Sequence, residues 1–170
     1  WLVWRYAPFA RGSGIPQVMA SIELSQRGRN PFVDQLLSWK IILVKVISST
    51  IKVIGGGILG REGPTIQVAA AIFKLVHDRL PKWWTSVTAS NVILAGGAAG
   101  LAAAFNTPLG GIVFAIEELS KHHIRFYKSA LFIAVIISGL AAQGLGGGYL
   151  YLGQAATNYD GWWIYPGIIL

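Results

Sequence analysis

The stretch Gly57-Ile-Leu-Gly-Arg-Glu-Gly-Pro-Thr-Ile-Gln67 sets an arginine and a carboxylate, Arg61 and Glu62, between glycines and follows them with Pro64, inside an otherwise oily segment. Proline suits a helix start because its missing N–H would be unpaired there anyway, so Pro64 predicts a helix that opens here and runs to about Arg79. The mouth of a helix exposes unpaired N–H groups and the positive end of the helix dipole, and it favours an anion. With Pro64 as the first helical residue, Glu62 and Gly63 stand at that mouth. The anion is then either a bound ion or the Glu62 carboxylate itself, and the two exclude each other because they seek the same donors. Protonating Glu62 removes its claim, which makes the carboxylate a gate worked by a proton. The alternative is an ordinary glutamate capping a helix at the surface, which the dipole favours equally.

Composition supplies the solvent around this feature. Of 170 residues 54% are hydrophobic and only 12% charged, whereas soluble domains carry about 25% charged residues. Mean hydropathy is +0.54. Neither Trp83 to Ile116 nor Ser129 to Tyr159 contains a charge, and a bilayer-spanning helix needs only ~20 apolar residues. A soluble core would need a polar surface that 14 basic and 7 acidic residues cannot supply. The expectation is a multi-pass integral membrane protein of a plasma or inner membrane. The net charge of +7 does not indicate nucleic acid, because the basic residues interrupt apolar runs instead of lining one face. Arg27 and Arg29, then Lys74, Arg79 and Lys82, then Lys121, Arg125 and Lys128 read as flanks of membrane segments, and three such clusters give no single orientation. Cysteine is absent, so thiol chemistry is excluded. A start at Trp1 without a leader and a stop within WWIYPGIIL suggest a piece of a longer polypeptide, residues 1–170 forming part of a transmembrane domain.

Along the chain, helices are expected from about Pro16 to Ser25, Asp34 to Ile54, Pro64 to Arg79, Thr85 to Phe105, Leu109 to Leu119 and Phe126 to Gln143. A basic loop, a glycine loop from Gly55 to Gly63 and a break at Asn106-Thr107-Pro108 separate them. The fold class is therefore all-α, built from broken helices of unequal length. Irregular backbone at membrane depth survives only where protein covers it or where it lines a wet cavity, so the breaks are the place to seek a site. Gly96 and Gly100 have the spacing that lets helix backbones approach, and read as packing.

Gly55, Gly57 and Gly60, with Asp78 following, mimic a dinucleotide-binding fingerprint, but no buried strand precedes them, and the helix start is set later, by Pro64. No Walker-type cradle is present either. His77, His122 and His123 show neither a zinc-protease spacing nor a nucleophile motif and read as loop residues, which leaves no enzyme, metal or cofactor expectation. The segment Gly12-Ser13-Gly14-Ile15-Pro16 repeats the logic of the gate. Its Ser13 hydroxyl and the N–H groups of Gly14 and Ile15 can converge on one small anion, or Ser13 can be a plain N-cap. Two glycine-flanked helix starts, one with a hydroxyl and one with a carboxylate, make a more specific pair than either alone.

GSGIP at 12–16, GREGPTIQ at 60–67 and AAAFNTPLGGIVFAIEEL at 102–119 resemble, in order and spacing, the motif segments of the CLC family of chloride channels and proton-coupled chloride exchangers. The resemblance implies the first half of an inverted-repeat transporter domain in a homodimer whose subunits each have a pore. By it Ser13 coordinates a central chloride with Gly12, Gly14, Ile15 and Pro16 around it. Glu62 is the external gating glutamate on a loop held by Arg61 and Gly63, and Glu118 is the inner proton-transfer glutamate of the exchangers. Read without it, Glu118 is a solvated helix-end charge. Lys45 matches a basic position before the gate, where it either raises the potential for chloride or snorkels. The family's Gly-x-Phe-x-Pro segment and late tyrosine cannot be placed, so this stretch alone does not complete a pore.

The expected function is proton-coupled chloride exchange across a lipid bilayer through Glu62 and Glu118. The alternatives are a passive, proton-gated chloride channel and, from another class, a non-transporting scaffold or orphan half-subunit.

Overall fold

The computed structural model describes residues 1–26, 28, 30–81, 87–119 and 128–147, and every regular element among them is helical. Helices α1 (Leu2–Tyr6) and α2 (Ile15–Gln26) flank a 3-10 turn at Pro8–Ala10; α3 (Pro31–Leu36), α4 (Trp39–Ile54) and α5 (Glu62–Arg79) follow, then α6 (Ala89–Phe105), α7 (Pro108–Phe114) and α8 (Lys128–Gly146). A single π turn, Ala115–Leu119, extends α7.

Local chemistry explains the boundaries. The run expected as one helix from Asp34 to Ile54 is two, because side-chain caps start a helix twice. The Asn30 carboxamide oxygen accepts from Phe32 N–H at 2.9 Å ahead of Pro31, and the Ser38 hydroxyl accepts from Ile41 N–H at 3.4 Å to open α4. The glycines at 55–57 close α4. The amides of Gly55, Gly56 and Gly57 donate to the carbonyls of Ile51, Val53 and Lys52, with Gly56 at φ +77. They therefore serve as a helix C-cap, and the fingerprint for a nucleotide has no strand to follow. Asn106, left-handed at φ 55, ends α6, and Pro108 starts α7 two residues later. The expected segment from Leu109 to Leu119 is accordingly a short helix and a π turn. The basic residues Arg27, Arg29, Lys82, Lys121 and Arg125, His122, His123 and the expected start at Phe126 lie outside the described residues.

The core gathers on both faces of α5 and α6. Val18 and Ile22 of α2, Ile66 and Ala70 of α5, Ile93 and Ala98 of α6 and Val135 of α8 are all buried in it. Gly96 and Gly100 act as spacers, as their spacing predicts. A Cβ at Gly96 would come 2.8 Å from Phe73 Cβ, and one at Gly100 would come 2.8 Å from the Thr65 carbonyl oxygen. Outside this core the molecule presents large apolar side chains to its surroundings, including Leu43, Ile47 and Ile51 of α4 and Ile133, Ile137 and Leu140 of α8. A water-facing surface would carry charges at such positions. Among the described residues no helix is both long enough and apolar enough to cross a membrane by itself. The uncharged run from Trp83 to Ile116 is cut by the breaks at Asn106 and Pro108, and α4 with 16 residues rises only about 24 Å at ~1.5 Å per residue.

Candidate functional site

The two glycine-flanked breaks meet. Gly63, in the first turn of α5, lies so close to the turn before α2 that a Cβ there would overlap the Ser13 carbonyl oxygen. Gly14 makes the reciprocal approach. Its Cβ would stand 2.9 Å from the Gly63 carbonyl oxygen and 2.8 Å from both Cβ and Oε1 of Gln67. Gly14 is also at φ +106 and Gly12 at φ +76, backbone that L side chains rarely adopt, so glycine is required at Gly14 twice over. Gly14 and Gly63 are buried, while Gly12, Ser13, Pro16 and Arg61 reach the surface and Ile15 and Glu62 are half-buried.

At the glycine loop, α5 opens two residues earlier than the proline suggests. Glu62 is its first residue, Arg61 its N-cap, and Pro64 falls in the first turn, where its absent N–H still costs nothing. The Arg61 carbonyl accepts from Thr65 twice, from its N–H at 3.1 Å and its hydroxyl at 2.6 Å. The amides of Glu62 and Gly63 have no carbonyl one turn behind them and are the donors this helix start can offer. The Glu62 carboxylate folds back over its own loop, since a Cβ on Gly60 would lie 2.7 and 2.9 Å from its two oxygens. Ser13 is a cap at present, its Oγ accepting from Ile15 N–H at 3.2 Å. A serine oxygen that accepts keeps its own O–H free to donate.

Glu118 sits apart, half-buried on the π turn, with Glu117 exposed beside it. Its neighbour Leu119 is buried at Gly97 of α6, where a Cβ would touch Leu119, Val18 and Ile66 at 3.0, 3.5 and 3.6 Å. The π turn packs on α6 and α2, and Ile66, one helical turn beyond Glu62, faces the same Gly97. Between α4 and α5 an open groove of about 420 Å³ runs past the start of α5, lined by Lys45, Val46, Val53, Leu59, Arg61 and Pro64.

A family model described as voltage gated chloride channel matches residues 1–169 of this arrangement. The chain belongs to that family. It is similar to the H(+)/Cl(-) exchange transporter ClcA of Vibrio cholerae serotype O1, in the O395, M66-2 and El Tor Inaba N16961 strains alike. Each is 38% identical over 143 residues, covering 84% of this chain and 28% of the relative. The chain thus spans well under half the length of the relatives it matches. Members of the voltage-gated chloride channel family are integral membrane channels and transporters and not enzymes. Among the described residues no group of His, Cys, Asp or Glu could hold a metal ion.

For this family member the sequence reading missed the side chains that hold the Ser13 turn. Four successive carbonyls, Phe9 to Gly12, each accept from a side chain. Phe9 takes Gln67 Nε2 at 3.2 Å, Ala10 takes Lys45 Nζ at 2.9 Å, Arg11 takes Gln17 Nε2 at 2.6 Å and Gly12 takes Lys45 Nζ at 2.8 Å. Lys45 does not snorkel, being 3% exposed. Gln67 is wholly buried, and its Oε1 has no hydrogen-bond partner. The signal was legible as a lone amide within the otherwise apolar run from Ile66 to Phe73. His77, expected in a loop, is within α5, its Nε2 2.9 Å from the Val87 carbonyl oxygen. Lys74, expected as a membrane flank, is buried and bonded to Asp34 of α3 and to Asp78.

Proposed function

We propose that this chain forms the first half of a chloride-transporting membrane domain that exchanges chloride for protons. Ser13 and the amides at the start of α5 bind the anion, with Gly12, Gly14, Ile15, Pro16, Arg61 and Gly63 shaping the hollow. Glu62 is its competing gate and Glu118 an inner proton carrier. The observation that supports this reading above others is the contact of the Ser13 turn with Gly63. It sets the Ser13 turn beside a helix start whose first amides have no intrahelical carbonyl, and a small anion is what such a start favours. The carboxylate and the anion compete, so binding a proton at Glu62 admits the anion and losing it closes the path. The similarity to a named H(+)/Cl(-) exchange transporter favours exchange over passive conduction. In the lipid bilayer the active form is a homodimer of full-length subunits.

The test is flux in liposomes with the native polypeptide that contains this chain. A chloride gradient drives proton movement in the unsubstituted protein, Glu62→Gln keeps chloride flux while proton movement stops, and Glu118→Val does the same. Coupled flux surviving Glu118→Val removes that residue from the mechanism. Uncoupled chloride flux in the unsubstituted protein favours the channel reading, and assembly with a partner without any anion flux favours the scaffold.

A further inference from the structure

A charged side chain is rarely buried unless an opposite charge accompanies it. Lys45 breaks that rule. At 3% exposure it forms no ion pair among the described residues, and its ammonium spends two donors on the carbonyls of Ala10 and Gly12, at 2.9 and 2.8 Å. Those carbonyls belong to the strand of backbone that leads directly into Ser13. Beyond them the chain turns at two left-handed glycines, 12 and 14, and comes to rest against Gly63.

The electrostatics of an anion site explain why such an arrangement is needed. A peptide carbonyl oxygen turned toward a halide repels it, and the repulsion is strongest where water is excluded. A flexible turn ahead of a helix would present its carbonyls and its amides to the site about equally. Here the carbonyls of residues 9 to 12 are committed to donors on α2, α4 and α5. Lys45 holds two of the four, and it alone holds the one adjacent to Ser13.

We infer that Lys45 is a positioning residue for the anion site: by drawing the Ala10 and Gly12 carbonyls toward α4 it sets the Ser13 turn against Gly63 and keeps those two oxygens out of the hollow. Halide affinity then depends on a side chain that does not touch the halide. The inference rests on the anion-transport reading.

The experiment measures the chloride dependence of flux in liposomes for the native polypeptide and for Lys45→Met and Lys45→Gln. Methionine keeps the apolar stem and has no donor; glutamine lacks the charge but carries an NH₂ whose two hydrogens match two carbonyls. Lys45→Met raises the half-saturating chloride concentration about tenfold, while Lys45→Gln stays within about threefold of the unsubstituted protein. Maximal turnover and melting temperature change little in either. A lysine that merely stabilised the fold would lower the melting temperature and leave half-saturation where it was. An unmoved half-saturation in Lys45→Met overturns the inference, as does a Lys45→Gln variant impaired as badly as Lys45→Met, because the charge and not the bonds would then matter. If Lys45→Met fails to fold, Lys45→Gln decides alone, and a rise of about tenfold there counts against. Saturable flux with unmoved variants removes only this inference, whereas no saturable chloride flux in the unsubstituted protein removes the transport reading with it.

Discussion

The two sides of α5 use glycine for opposite ends. Toward α6, Gly96 and Gly100 let two helices touch, and what the contact buries is apolar: Ile66, Ala70, Ile93 and Ala98. Toward α2, Gly63 and Gly14 allow an equally close approach, yet what meets there is polar backbone, the Ser13 and Gly63 carbonyls and the Gln67 amide. The first contact is self-sufficient, because apolar surface is satisfied by apolar surface. The second leaves donors over. A buried helix start whose amides find no carbonyl needs water, a side chain or an anion at them, so the same residue type marks packing on one side and the proposed site on the other.

That contrast breaks most sharply at Glu62. Glu62→Gln removes the carboxylate at the start of α5 and leaves the contact with α6 untouched. Proton movement coupled to chloride is expected to be lost altogether, with the melting temperature unchanged, by paired pH-electrode and chloride-electrode recordings. Next comes Gly63→Val, whose side chain must displace the Ser13 turn. Chloride half-saturation rises by about tenfold or more because the two breaks no longer meet, while a substitution on the opposite side of the helix leaves it alone. Gly100→Leu is that opposite case. Overpacking against Thr65 and Ala69 lowers stability by about 1–3 kcal/mol in denaturant titration without moving the chloride half-saturation of the molecules that remain folded. Asn30→Ala, distant from both faces, removes the cap of α3 and costs about 1 kcal/mol, again with unchanged chloride dependence.

The chain's residues declared the helix starts better than the helix courses. Pro16 and Pro64 each stand within two residues of an observed start, and Pro108 is one. Glycine spacing in α6 told of close packing because a small residue every fourth position has that single geometric use in a helix pair. The split between α3 and α4 escaped notice because Leu36 and Leu37 continue the apolar pattern across it, and Ser38 alone, a cap-preferring residue, marks the new start. Of the candidate site, the close approach of the Ser13 turn to Gly63 was legible from the glycines that flank both breaks. Lys45 and Gln67 were not legible as donors to the Ser13 turn, since their partners Ala10, Gly12 and Phe9 are more than 30 residues away in the chain and no local pattern encodes a contact of that range.

The claim at the centre is that the turn at Ser13 and the start of α5 share one halide. Bromide scatters anomalously and substitutes for chloride, so diffraction from crystals of the native polypeptide grown in bromide tests it directly. The expected map has a peak between the Ser13 hydroxyl and the amides of Glu62 and Gly63, weakened when Glu62 is ionised and strengthened in Glu62→Gln. A map with bromide elsewhere, and none between these two breaks in either protein, contradicts it.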